Sequence, residues 1–191
     1  HINMQIGPAL VLLKFGSEDQ KKKWIPPLIK GELLGCFAMT ESNAGSDVAS
    51  MAATATKGKK GYALKGAKTW ISNGPVADVG LVYAYTDKSQ RHRGISAFIV
   101  DLEQSGVTRR KLDKFGLLAS PTGELTFDNA NVPEDRRIGQ EGDGFKICMW
   151  QLNQTRLSCA SGALGVARAA REAAVSYANQ REQFGQKIGQ F

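Results

Sequence analysis

The sequence predicts an α+β chain. A central antiparallel β-barrel or sandwich is flanked by the end of an N-terminal helical domain and by the first long helix of a C-terminal helical domain. Three observations carry that expectation. Between residues 33 and 135 the apolar residues come in short runs, parted by Gly58, Gly66, Gly74, Gly94, Gly106 and Gly116, as strands are parted by turns. Residues 1–32 show helix start and stop signals instead. After Pro133 there is no further proline, and Phe145, Met149, Leu152, Arg156, Ala160, Leu164 and Ala167 return at helical spacing. The domain boundaries are therefore set at 1–32, 33–135 and 136–191.

Taken in order, Ile6, Leu10, Leu13 and Phe15 mark the tail of one helix, ended by Gly16. Ser17 with Gln20 forms a capping box for a second helix through Lys30, which Pro26-Pro27 is expected to interrupt. These pieces are too short to bury their own faces, so the chain reads as cut from something longer. Strands are expected at 36–40, 52–56, 62–64, 68–72, 80–86, 95–101 and 124–128, with Tyr83, Tyr85, Phe98 and Phe127 at half-buried, pleated positions. A helix of roughly 40 residues follows, small-residue-rich from Ser158 to Gly165 and alanine-rich beyond. It must pack against helices that this chain lacks. Gly162 and Gly165 suit close helix approach; with no strand before them they make no dinucleotide fingerprint.

Composition narrows the function classes. With 42% hydrophobic and 23% charged residues, the chain can bury a core and is neither disordered nor membrane-spanning. The start, His1-Ile2-Asn3-Met4, has no basic region and no cleavage-like site. Three cysteines (Cys36, Cys148, Cys159) without C-x-x-C spacing and two distant histidines argue against a metal site. Reduced thiols fit a cytoplasmic or comparable compartment. The net charge of +7 raises nucleic acid as a partner, but the basic clusters are short, scattered and free of interleaved aromatics, so no nucleic acid is expected.

Two segments carry the chemistry. Phe37-Ala38-Met39-Thr40-Glu41-Ser42-Asn43-Ala44-Gly45-Ser46-Asp47 runs from an apolar strand into small hydroxyl, amide and glycine residues. Lys68-Thr69-Trp70-Ile71-Ser72-Asn73 sets an indole and a hydroxyl beside a second turn. Backbone N–H groups and hydroxyls suit phosphates and polar ring edges, while an indole suits the face of a flat ring. Alone, residues 40–47 read as an ordinary turn and Trp70 as core; the pair together points to a site. On strand alternation Trp70 and Ser72 share one side, with Thr69 and Ile71 on the other. Arg181, Gln183 and Phe184 close the long helix with Gly185 as its cap, where Arg181 alone would read as a complement to the helix dipole. Arg156 on an apolar helix face asks for a partner, which an inter-helix ion pair would also supply.

With Arg181-Glu182-Gln183-Phe184-Gly185, these segments resemble the flavin-binding acyl-CoA dehydrogenase family over essentially the whole chain. Lys68 to Asn73 with Ala77-Asp78, and Ala119-Ser120-Pro121-Thr122-Gly123, are most similar to the glutaryl-CoA and cyclic acyl-CoA dehydrogenase branch. The resemblance implies FAD, with Phe37, Met39 and Thr40 along the isoalloxazine, Trp70 and Ile71 at the ring, and the Ser72 hydroxyl near N5. It implies Gly45 and Ser46 at the pyrophosphate, Ser46 also approaching the acyl-CoA, and Asn153 and Arg156 near the CoA chain. Arg181, Gln183 and Phe184 would hold the FAD of a neighbouring subunit in a homotetramer. Many relatives carry threonine where Ser72 stands, and others aspartate where Asn153 stands. Some place the catalytic base on this helix, but the matching residue here is Thr155, so the base, a glutamate, is expected beyond Phe191. The implied reaction is α,β-dehydrogenation of an acyl-CoA, with electrons passed to an electron-transferring flavoprotein, in the mitochondrial matrix if the source is eukaryotic. Alternatives are an acyl-CoA oxidase of the same fold and an inactive flavin- or CoA-binding fragment, with a basic nucleic-acid-binding barrel as the outsider.

Overall fold

Helices α1 (Ile2–Phe15) and α2 (Glu18–Lys30) open the chain in the computed structural model, which describes residues 2–191. The capping box forms as expected. Gln20 N–H donates to Ser17 Oγ at 3.2 Å, and Ser17 N–H donates to Gln20 Oε1 at 3.0 Å. The same Gln20 amide also donates to the carbonyls of Asp135 (2.6 Å) and Arg137 (2.8 Å), tying α2 to the far end of the sheet. The expected interruption at Pro26-Pro27 does not occur, and α2 runs through to Lys30. Those prolines deprive the carbonyls of Lys22 and Lys23 of their helical donors, and both residues are exposed to water. Trp24 and Leu28, one turn apart, are buried and carry the helix past the prolines.

Eight strands then build one sheet: β1 (Gly35–Ala38), β2 (Thr54–Gly58), β3 (Gly61–Ser72), β4 (Val79–Tyr85), β5 (Ile95–Asp101), β6 (Val107–Lys111), β7 (Thr122–Val132) and β8 (Arg137–Ile138). Their order is β6-β7-β3-β2-β4-β5-β8, with β1 also on β4. The α+β class and the helical flanks are as expected, and most strand pairs are antiparallel. One departure is that β1 runs parallel to β4. Leu34 sets this direction: its N–H donates to the Asp78 carboxylate at 2.7 Å, and its carbonyl accepts from Asp78 and Val79. Both strands therefore enter the sheet at the same end. A second departure is that the two short strands expected at 62–64 and 68–72 are one, because Gly66 (φ 138°) lies in a bulge and not in a turn.

All seven residues of β4 are buried, as befits a strand covered on both faces. Val82 and Ala84 join the core with Tyr62, Leu64, Phe98 and Phe127. On the other face Tyr83 meets the edge of Phe37 (centroids 5.3 Å) and donates to Gln151 Oε1 at 3.4 Å. That glutamine lies in α3 (Gly144–Gln180), whose first two turns are buried at Ile147, Cys148 and Gln151.

The chain divides into two compact units, the second being Leu152–Phe191. Within that unit α3 ends at Gln180 and a small hairpin follows, β9 (Glu182–Gln183) with β10 (Gln186–Lys187). Phe184 (φ 53°) and Gly185 (φ 79°) form its two-residue turn, since both positions of that turn type need positive φ. Gly185 is therefore a hairpin residue and not the cap of the long helix.

Candidate functional site

β1 runs alongside the C-terminal part of β3 in the opposite direction, and the two sequence segments singled out above meet there. Thr69 N–H donates to the Thr40 carbonyl at 2.9 Å, and Asn73 Nδ2 donates to the Gly35 carbonyl at 3.2 Å. Beyond Thr40 the chain doubles back: Glu41 N–H donates to Ala44 O at 3.0 Å, and Ala44 N–H returns the bond to Glu41 O at 3.1 Å. Ser42, Asn43, Gly45 and Ser46 are left exposed. A Cβ added at Gly45 would meet nothing within 4 Å, so the protein's own packing does not demand glycine there. The glycine keeps backbone amides open to an incoming group.

Beneath this turn sits a buried ion pair. Lys68 is fully enclosed, and its ammonium donates to Glu41 Oε1 at 2.8 Å and to the Met39 carbonyl at 3.1 Å. Glu41 is 8% exposed and also accepts from Ala52 N–H (2.5 Å) and Ala53 N–H (3.1 Å). Burial opposes ionisation of Glu41. The Lys68 charge, the Lys68 hydrogen bond and the two amides outweigh it, and the carboxyl pKa falls below its ordinary value. Burial also pulls the Lys68 pKa down, with Glu41 pulling against it.

Trp70 is the strained residue of the site. The β3–β7 register slips between Lys68 and Ile71, so Thr69 and Trp70 together occupy one place in the pleat. Trp70 adopts φ 58° and is 61% exposed. A bulky residue in the left-handed region costs about 1–3 kcal/mol, and such strain gathers at functional sites. The slip corrects the expected alternation. Lys68, not Thr69, shares the buried side with Ile71, and the Thr69 hydroxyl faces outward to Glu124 at 3.4 Å. The Ile71 side chain belongs to the core, which leaves only its backbone for a ligand. Among the described residues neither the Thr40 nor the Ser72 hydroxyl has a hydrogen-bond partner, and both residues are half-buried.

Phe37 and Met39 are also half-buried. Met39 Sδ meets the Cys148 thiol at 2.9 Å, and burial pushes that thiol's pKa up to about 12, as it does for Cys36. Neither cysteine is a nucleophile at neutral pH. Among the described residues no cluster of histidine, cysteine or carboxylate side chains has metal-binding geometry, and no helix is long and apolar enough to cross a membrane. Sequence reasoning passed over Lys68, Glu41 and Asn73. The available signals were a lysine inside a strand read as half-buried and an asparagine before Gly74, which takes φ 64° and receives the Ala77 N–H at its carbonyl at 2.8 Å.

The second unit carries the remaining candidates. Arg156 donates to Asn153 Oδ1 one turn earlier on the exposed side of α3, and the Thr155 hydroxyl donates to the Leu152 carbonyl at 3.1 Å. Arg181 is exposed at the start of the hairpin, Gln183 Nε2 donates to Glu182 O at 2.7 Å, and Phe184 is exposed with its ring edge-on to Phe191 (centroids 6.1 Å).

Comparison with known proteins agrees with this arrangement. The family model described as acyl-CoA dehydrogenase, middle domain, matches residues 36–130, and that described as acyl-CoA dehydrogenase, C-terminal domain, matches residues 142–191. Glutaryl-CoA dehydrogenase of Desulfococcus multivorans is 47% identical over 192 aligned residues, covering 100% of this chain and 49% of that protein. A glutaryl-CoA dehydrogenase solved with glutaryl-CoA superposes with a TM-score of 0.96 at 47% identity, over 100% of this chain and 49% of the other. PigA, solved with FAD and proline, superposes at 0.91 and 36% identity, over 100% and 50%. The chain thus spans about half the length of the curated relatives it matches. Two domain matches in family order, with the two motif segments folded onto one surface, show that the chain belongs to the acyl-CoA dehydrogenase family.

Proposed function

We propose that the whole protein is an FAD-dependent acyl-CoA dehydrogenase, and that this chain supplies its flavin shelf and part of its acyl-CoA mouth. The observation that carries the reading is the strained, exposed Trp70 indole beside the unpaired hydroxyls of Thr40 and Ser72. An indole held outward at a cost in backbone energy suits the face of a flat ring, and two free hydroxyls suit its polar edge. The open amides around Gly45 and the Ser46 hydroxyl suit a pyrophosphate. When bound, FAD would supply the hydride acceptor.

The residues of this chain bind and orient; none is assigned the proton abstraction. Glu41 is the carboxylate beside Thr40, but both its oxygens are engaged and its pKa is lowered, which disqualifies it as a base. The Thr155 hydroxyl is far too weak a base. The base is assigned to a glutamate in the part of the relatives' length that this chain does not span. Asn153 and Arg156 are assigned to the CoA chain, and Arg181, Gln183 and Phe184 to the FAD of a neighbouring subunit in a homotetramer. Electrons are proposed to leave for an electron-transferring flavoprotein. A glutaryl-CoA-like or cyclic acyl-CoA is the favoured substrate class, since the glutaryl-CoA dehydrogenases named above are among the relatives matched over the entire chain.

The test is FAD binding with Trp70→Ala in the whole protein, followed by flavin fluorescence and absorbance. Loss of about 1–3 kcal/mol of binding, roughly fivefold to 150-fold in Kd, is expected for removing a stacked aromatic face. An unchanged Kd and an unchanged visible band would remove Trp70 from the flavin site.

A further inference from the structure

We propose that the buried Lys68–Glu41 pair is a positioning device, which holds the 40–46 turn in its binding conformation before any cofactor arrives. The inference rests on the flavin reading for what the turn binds, and on the fold alone for how the turn is held.

A fully enclosed lysine is a poor way to gain stability. Desolvating an ion pair costs about as much as its attraction returns, and apolar replacements of such pairs are often neutral or stabilising. What this pair supplies is geometry. The Lys68 ammonium reaches the Met39 carbonyl and the Glu41 carboxylate, the groups on either side of Thr40. The Thr40 carbonyl is itself taken by Thr69 N–H. With both flanks and its own carbonyl held, Thr40 keeps its backbone fixed and its hydroxyl free. Glu41 passes the constraint on, since its carboxylate receives the amides of Ala52 and Ala53 just ahead of β2. The turn is thereby clamped between β2 and β3 by one buried charge pair. Lys68 also stands immediately before the Thr69–Trp70 bulge. One side chain thus ties the hydroxyl-bearing turn to the strand that presents the indole. Such pre-organisation lowers the ordering cost of binding.

The experiment compares the unsubstituted protein with the double variant Glu41→Gln/Lys68→Met, which removes both charges while keeping the volumes similar. Amide hydrogen exchange is read without FAD, together with thermal stability and the Kd for FAD. In the unsubstituted protein the Glu41 and Ala44 amides should be protected without cofactor. In the double variant those two amides should exchange about tenfold faster or more, with β4 and β5 amides unchanged. Its Kd for FAD should rise by about tenfold or more while its melting temperature stays close to the original. Lys68→Arg, which keeps the charge, should recover part of the affinity. The proposal is overturned if the double variant folds and keeps both exchange and Kd within about twofold. It is equally overturned if the unsubstituted turn is unprotected until FAD is added, an outcome that needs no variant to fold. Should the unsubstituted protein bind no FAD at all, the flavin reading falls, and the exchange comparison by itself decides the clamp.

Discussion

Trp70 and Glu41 show how single residues divide their energy between stability and site. Trp70 spends backbone strain to hold an exposed ring, so relieving the strain should separate the two effects. Trp70→Gly places a residue tolerant of positive φ in the bulge and removes little buried surface. Stability is expected to stay level or to rise by about 1 kcal/mol, the relieved strain being partly offset by the flexibility of glycine. FAD affinity should fall as it does for Trp70→Ala. A urea titration showing a loss beyond about 1 kcal/mol would mean that the indole supports the fold after all. Glu41 carries a pH signature. Its folded pKa lies below the ordinary 4.5, so its contribution is complete above that value and is lost as the pH falls through the lower folded value. As the pH falls from about 6 into the acid range, the unsubstituted protein should therefore lose stability more steeply than Glu41→Gln. Parallel slopes in urea midpoints would show that Glu41 does not titrate as described.

At the scale of elements, β3 positions the site, and its two bulges do the positioning. The first centres on Gly66, where a Cβ would come within 2.7 Å of Ala53 Cβ and φ is 138°. Gly66→Ala combines a clash on backbone-supported atoms with a forbidden conformation. It should cost about 2–4 kcal/mol, read as a lowered urea midpoint at unchanged m-value. This bulge also marks where sequence reading stops. The reading of short apolar runs between turn residues identified β5 to the residue and β4 closely, because those strands are regular and buried on both faces. It split β3 in two, since a glycine between apolar runs reads the same in a bulge as in a turn. It missed β6, whose Thr108-Arg109-Arg110-Lys111 looks like a solvated loop but pairs with β7 alone at the edge of the sheet, where charge is the usual protection. The site divided in the same way. Thr40, Trp70 and Ser72 were legible because the types of residue in each motif announce their chemistry. The Lys68–Glu41 pair was not, because its partners lie 27 residues apart and meet only once the strand register is set.

At the scale of the molecule, the question is whether these 191 residues could carry out the proposed dehydrogenation or supply only the proposed binding surfaces. An α-proton base must be a free, correctly poised acceptor near the flavin face. Glu41 is the carboxylate next to Thr40, yet one oxygen takes Lys68 and Ala53 and the other takes Ala52. Protonating it would also dismantle the clamp beneath the turn. Thr155 donates its hydroxyl proton to its own helix, and no side chain among its described hydrogen bonds activates it. His92 packs its ring against Phe145 with centroids 5.2 Å apart. The expected result is that the purified 191-residue chain, supplied with FAD and a dye acceptor, shows no turnover of glutaryl-CoA, butyryl-CoA or a cyclic acyl-CoA. Joined to the part of the relatives' length it does not span, it should turn over at least one of them. Replacing the supplied glutamate by glutamine should then abolish turnover with FAD still bound, which separates loss of chemistry from loss of cofactor. Clear turnover by the 191-residue chain alone would place the base among its own residues. Glu41→Gln would then be the first variant to examine, because a carboxylate that leaves its lysine to reach a substrate would overturn both the assignment of the base and the clamp.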